Sequence, residues 1–328
     1  MKYRIIFGLL MLIGFFPKVK AQDVHFSQFY SNPLYLAPSF AGSSHSTRFV
    51  GAFRDQWPKI PGTFINYSFS VDHYLPKLRS GFALYVNSDN AGQGKLVTNN
   101  ISFSYSYNIK LTRKLFLQPG LAAYYYSRKV DYSSISFSDE YFLNQYVGAT
   151  SEILPFDKIQ HSDFAVSSLL YTYNYWLGFN VDHLMSLSPV LRSDIKYTDM
   201  RLSVFGGVKI PVIHKTRNRN KEYIHAAFNY RLQSSIHQLD VGAYYNRHPY
   251  MIGLWYRGFP AINEYPTSSA LVYLFGMKYK DYIFSYSFDM SLGNLISQTG
   301  GGHEITITYF VVQSNRQKKY KAIPCPEM

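Results

Sequence analysis

Cysteine, charge and long apolar runs are all scarce in this 328-residue chain, and each shortage excludes something. The lone cysteine, Cys325, rules out an internal disulfide and leaves either a tolerated free thiol in a tail or an intermolecular contact. Beyond residue 16 no stretch reaches the roughly 18 to 20 consecutive apolar residues that a transmembrane helix needs. Charged residues make up 16%, against roughly 25% in ordinary soluble domains. There is no G-x-S-x-G, no H-E-x-x-H and no cysteine pair, so an enzyme is not expected and no cofactor is implied. His73, His183, His225 and His303 fall in separate strand-like segments with no obvious serine partner, as lumen or rim residues would. The formal net charge of +13 does not point to nucleic acid. Lys2, Arg4, Lys18 and Lys20 belong to the leader, and the other basic residues are spread over separate turns, not along one groove.

The leader itself is clear. Lys2 and Arg4 give a basic start, Ile5 to Phe16 an apolar stretch, and Val19-Lys20-Ala21 the small residues of a cleavage site. Residues 1–21 read as a signal peptide and the mature chain starts near Gln22, with no cysteine there to carry a lipid. An exported chain without a transmembrane helix is soluble, surface-attached or a β-barrel. Aromatics at 18% (31 Tyr, 25 Phe), few charges and a mean hydropathy of −0.16 suit strands that face lipid on one side only.

Alternation supplies the strands. In Ile101 to Lys110, Ile101, Phe103, Tyr105, Tyr107 and Ile109 share one face, and Ser102, Ser104, Ser106, Asn108 and Lys110 the other. The same period runs through Ile65–Asp72, Leu202–Ile210, Ile224–Leu232, Leu239–Asn246, Tyr282–Met290 and Ile305–Val311. It is weaker near 47–56, 81–88, 115–126, 164–172, 175–182, 250–257 and 269–278. These segments predict an all-β fold: a 14-stranded antiparallel transmembrane β-barrel over residues 47–313, with a basic periplasmic tail at 314–328. A soluble sandwich would alternate too, but its loops would not sort by length. Here Pro76–Ser80, Leu111–Lys114, Tyr173–Asn174, Arg247–Pro249 and Tyr279–Asp281 are tight, and only Pro211–Lys221 at that end is long. The other end carries Ser88–Val97, Ser127–Asp163, His183–Met200, Gly258–Ser268 and Ser291–His303, with short links near Pro58–Gly62 and Gln233–Ile236. Short periplasmic turns opposite long outer loops are the outer-membrane pattern, with both termini expected in the periplasm. The tight-turn end is also the more basic one, suited to anionic lipid or an acidic partner, or simply to solvated turns.

Residues 22–46 lack strand alternation, and Pro33 and Pro38 interrupt any long helix. The run Asp23 to Gly42 resembles the opening of the PorP/SprF family of type IX secretion membrane proteins, typically D-x-x-F-S-Q-F-x-x-N-P-L-Y-x-N-P-A-x-A-G. Phe26-Ser27-Gln28-Phe29, Asn32-Pro33-Leu34-Tyr35 and Ala41-Gly42 match, while Ala37 and Ser39 depart from the second N-P unit. Arg54-Asp55-Gln56-Trp57 fits the family's R-x-Q-W, and Gly302-His303-Glu304-Ile305 and Ile323-Pro324-Cys325-Pro326 resemble its closing elements. The resemblance implies an outer-membrane barrel of the secretion and gliding apparatus, or a dedicated partner that holds the C-terminal domain of a secreted adhesin at the surface. Its implied partners are that cargo domain, other periplasmic or outer-membrane machinery proteins, and membrane lipid. A diffusion channel or hydrophobic-solute transporter is the competing reading.

Four groups of residues are candidates for function. Phe26, Phe29, Tyr30, Asn32, Pro33, Leu34, Tyr35 and Phe40 are expected to pack at the periplasmic mouth or inside the lumen as a plug, the alternative being a disordered leader. Arg48, Arg54, Gln56, Asp72, Arg201, Arg231 and Asp240, with Asn180, Asp182, His225 and Asp289, are expected to face the lumen, since a charge facing lipid near midplane costs roughly 2–4 kcal/mol. There they either neutralise one another or grip a cargo peptide. Tyr132, Phe137, Tyr141, Phe142, Tyr146 and Phe156 make Ser127–Asp163 a cargo-binding loop, unless it folds back over its own barrel; no D-x-[DN]-x-[DN]-G calcium spacing is present there. Lys215, Arg217, Arg219 and Lys221 form a basic periplasmic turn able to meet a scaffold.

Overall fold

A computed structural model describes residues 23, 25–92, 96–131, 141–142, 145–146, 158–187, 198–212, 222–234, 236–258, 269–292 and 298–311. Strand residues dominate. The long strands are β1 (Thr47–Gln56), β2 (Phe64–Leu75), β3 (Ser80–Ala91), β4 (Leu96–Tyr107), β5 (Phe116–Lys129), β6 (Lys158–Tyr171) and β7 (Tyr175–Asp182). They continue with β8 (Arg201–Val212), β9 (Glu222–Gln233), β10 (Ile236–Arg247), β11 (Tyr250–Gly258), β12 (Ala270–Tyr279), β13 (Tyr282–Ser291) and β14 (Gly302–Val311). Each pairs antiparallel with its sequence neighbours, and β1 pairs with β14 from Thr47↔Val311 to Gln56↔Gly302. The ladder therefore closes, and no strand edge is left to be satisfied by a solvent that lipid does not provide.

Side-chain chemistry explains which face is which. Phe69, Ile101, Phe103, Leu121, Leu254 and Phe275 point outward and are about half exposed, while Ser70, Ser102, Ser104, Ser106, Asn229 and Ser287 on the alternate positions are buried in the lumen. A ten-residue strand is about 33 Å long and, tilted by about 40°, rises about 25 Å, the height of the apolar band such barrels present to lipid. No helix among the described residues is long and apolar enough to cross a membrane.

Two loop boundaries differ from those expected. The link between β3 and β4 is only residues 92–95, because Asp89↔Thr98 and Asn90↔Val97 continue the ladder where both faces have become polar. There alternation fades although the backbone pairing does not. Likewise β5 and β6 stay paired up to Lys129↔Lys158, so Asp163 is no loop residue: it sits inside β6 and is buried. Within the remaining connection, Tyr141–Phe142 pairs with Gln145–Tyr146 as a small hairpin.

Residues 25–45 do not leave the barrel. They cross its interior from the end where β1 finishes to the end where β1 begins, with helical turns at Pro33–Leu36 and Pro38–Phe40. In each turn proline occupies the first position, where its missing N–H costs nothing. The first described residue, Asp23, lies at the long-loop end beside Arg201 and Gln233, whereas Val311 closes β14 at the tight-turn end. Asp23 and Val311, the first and last described residues, thus lie at opposite ends of the barrel.

Candidate functional site in the lumen

The lumen is apolar on one flank and ionic on the other. On the apolar flank Leu169, Trp176, Phe205, Tyr244, Trp255, Val272 and Leu274 point inward, although their strands also present apolar residues to lipid. Phe29, Tyr30 and Phe40 of the inner segment fill the space between them. Tyr30 stacks on Trp255 at 5.2 Å and on Tyr244 at 5.5 Å, Phe29 meets Trp255 edge-on at 5.1 Å, and Phe40 lies 5.9 Å from Trp176. Such pairs contribute about 0.5–1.5 kcal/mol each beyond the area they bury.

On the ionic flank three separate sequence motifs meet. The Ser27 and Gln28 N–H groups donate to Glu304 at 2.7 and 3.1 Å, and Glu304 accepts from Arg54 at 3.1 Å. Arg54 also reaches Asp289 at 2.7 Å, and Ser27 donates its hydroxyl to Asp289 at 2.5 Å while accepting from Arg54 and Arg257. Arg257 links Asp289 to Asp240, and Asp240 pairs with Arg231 at 3.1 Å and His25 at 3.4 Å. Gln28 spans to Ser285 and Ser287. Arg54, Arg231 and Arg257 balance Asp240, Asp289 and Glu304, so the group is buried without net charge from these six. The sheet register builds it: Arg54↔Glu304 and Asp240↔Arg257 are directly opposed across strands, as are Arg48↔Asp72 and Asp182↔Arg201 elsewhere in the lumen.

At the tight-turn end a second set holds the segment. Arg48 pairs with Asp72 at 2.8 Å and donates to Ser43, while Asp72 accepts the Gly42 N–H at 2.9 Å. Gly42 has a φ of +66°, and a Cβ there would meet the Gly81 Cα at 2.8 Å. The Ala-Gly of the opening motif is thus a left-handed turn pressed against β3. A side chain at Gly81 would overlap the Ala41 carbonyl, and one at Gly120 the backbone of Ser39. The Ala41 carbonyl accepts from Ser106 and Gln118, and Leu36 from Asn180.

At the long-loop end His183, just beyond β7, stands between two carboxylates, Asp163 at 2.7 Å and Asp23 at 2.9 Å. Burial alone would lower its pKa, but the two acids outweigh it and push the ring up to about 10. Asp23 in turn is held well below the usual carboxylate range: burial opposes this, but His183 and Arg201, at 3.1 Å, prevail. Between this clasp and β3–β6 a small vestibule of about 80 Å³ opens at the mouth. Tyr85, Asn87, Asp89, Asn100, Tyr124, Tyr126, Arg128 and His161 line its strand side, and Phe26, Leu34 and Tyr35 its inner wall. Tyr126 stacks on Tyr124 at 5.8 Å and on His161 at 5.0 Å.

Phe26, Phe29, Tyr30, Asn32, Pro33, Leu34 and Phe40 are all buried inside the barrel, and Tyr35 is half-buried with its hydroxyl accepting from Arg231. Arg48, Arg54, Asp72, Asn180, Asp182, Arg231, His225, Asp240 and Asp289 face the lumen, with Gln56 and Arg201 nearer its mouth. Tyr132, Phe137, Phe156, Lys215, Arg217, Arg219, Lys221 and Cys325, and the side chains of Tyr141, Phe142 and Tyr146, lie outside the described residues. Ser27, Gln28, Arg257 and the vestibule were not singled out from the sequence. Ser27 and Gln28 stood in the matched motif, and Arg257 alternates onto the same face as Trp255, a signal that was present.

A closed antiparallel barrel with an even strand number, a lipid-facing apolar band and an ion-paired lumen is an outer-membrane protein by construction. The family model described as "Type IX secretion system membrane protein PorP/SprF" matches residues 18–309, and the chain belongs to that family. No curated protein matches the chain. Among solved structures, CdiB from Acinetobacter baumannii has a TM-score of 0.45 at 8% identity, covering 81% of this chain and 60% of its own. Omp33 from the same organism has 0.46 at 6%, covering 82% and 100%. BamA from Haemophilus ducreyi lacking POTRA domains 1–3 has 0.42 at 7%, covering 81% and 70%.

Proposed function

We propose that this barrel is a surface anchor of type IX secretion: it holds, or helps deliver, a secreted adhesin-type cargo through that cargo's C-terminal domain. In this reading the tight turns and the C-terminal tail face the periplasm, where the basic turn around Lys215, Arg217, Arg219 and Lys221 meets other machinery proteins. The long connections and the vestibule face the medium and meet the cargo.

The observation that carries the reading is the occupied lumen. A diffusion channel needs a continuous water path, and a hydrophobic-solute transporter a continuous apolar one. Here residues 25–45 are fastened to strands on every side, at Ser68, Ser106, Ser167, Asn180, Arg231, Ser287 and Glu304. What such a barrel offers is a rigid, lipid-embedded base with a recess at one mouth, and these features suit binding better than passage.

Affinity isolation from native outer membranes through a C-terminal tag tests this. A secreted protein should co-purify, and removing residues 130–157 should release it while the barrel stays in the membrane. Co-purification of no secreted protein, together with solute flux in liposome swelling, would favour the channel.

A further inference from the structure

Asp23, the first described residue, lies at the opposite mouth from Val311, the last described one. Asp23 touches His183, Arg201 and Gln233, residues at or just past the ends of β7, β8 and β9 on the long-loop side. From there the backbone descends past Ser27 at Glu304, Leu36 at Asn180 and Ala41 at Ser106, and emerges at Gly42 beside Asp72. Only then does β1 begin and return to the long-loop side. The last described residue, Val311, pairs with Thr47 at the tight-turn end.

We infer that the mature amino end, left when the leader is removed after Ala21, opens on the cell's outer face, so that the barrel is closed around a chain threaded through it. The inference rests on the orientation proposed above, with tight turns in the periplasm. Two observations argue that the threaded path is the built one. Glycines stand at the closest approaches, Gly81 under Ala41 and Gly120 under Ser39, where any side chain would collide with the inner backbone. The seam between first and last strands is bridged through the same segment, since Glu304 on β14 takes Arg54 from β1 and two N–H groups from residues 27 and 28. The segment is therefore tied to the strands on both sides of the seam. Its free end then stands at the rim of the vestibule, on the face where a surface partner would dock.

The two ends can be read separately on whole cells. A short epitope inserted after Gln22 in the full precursor reports the amino end, and Cys325, the natural single cysteine, reports the carboxyl end. Antibody should bind the epitope on intact cells, and a membrane-impermeant maleimide should modify Cys325 only after the outer membrane is permeabilised. Should the insertion block export, V24C combined with C325S gives the same readout with maleimide alone. Both ends hidden until permeabilisation would overturn the threading. A hidden amino end with Cys325 modified on intact cells would also overturn the inference, and would place the fault in the barrel's orientation instead.

Discussion

Removing Arg54 tests whether the ionic flank holds the inner segment in place. Arg54 is 2% exposed and is shared by Asp289 and Glu304, so Arg54→Ala leaves an excess negative charge in a closed space. Breaking a buried pair from one side costs about 3–5 kcal/mol. The lower end, about 3 kcal/mol, is expected because Asp289 keeps Arg257 at 2.9 Å and Glu304 keeps two N–H donors. Glu304→Ala removes the acceptor of those donors as well as the charge, and about 3–4 kcal/mol is expected. The double variant restores the charge balance, and its cost should fall short of the sum by about 2 kcal/mol, in the range of directly coupled neighbours. Urea unfolding in lipid vesicles measures all three, read by tryptophan emission, since Trp255 and Trp176 touch Tyr30 and Phe40. Single costs below about 1 kcal/mol, or a strictly additive double variant, would refute the reasoning.

Three further outcomes follow from the same contacts. Gly120→Val should displace the segment near Ser39 and make residues 23–46 cleavable by added protease in the folded barrel, by at least tenfold in rate; unchanged resistance would contradict the close approach. His183 has a raised pKa, so its tie to Asp23 is fully present below about 6.5 and is lost as pH rises through about 10. Hydrogen exchange near His25 should therefore quicken above pH 10 in the natural protein, and His183→Phe should abolish that step. Asp72→Asn should free Arg48 and the Gly42 turn and cost about 2–3 kcal/mol in the same urea assay, while Asp281→Asn, in an exposed tight turn, should cost under about 0.5 kcal/mol.

Much of this fold is legible in alternation because lipid and lumen impose opposite chemistry on successive residues. Serine-rich β4 reads cleanly, since Ser102, Ser104 and Ser106 face the polar flank. The weaker rhythm of 164–172, 175–182, 250–257 and 269–278 has a physical cause. These strands carry Leu169, Trp176, Trp255, Val272 and Leu274 inward against Phe29, Tyr30 and Phe40, so both faces are apolar and the period-two contrast fades. The clustered charges were legible one strand at a time, as the expense of placing them in lipid. Their pairing was not, because Arg54 and Glu304 lie 250 residues apart and only ring closure brings them opposite. The direction of the inner segment was equally hidden. Its motifs announce turns and burial, but only contacts such as Asp23 with Arg201 reveal which mouth it starts from.

Single-channel recording in planar bilayers tests the central claim, that the lumen is filled by the chain's own segment, most directly. The intact barrel should show no steady conductance, and the variant lacking residues 23–45 should show stable open channels. A natural protein that conducts as freely as the truncated one would contradict the account.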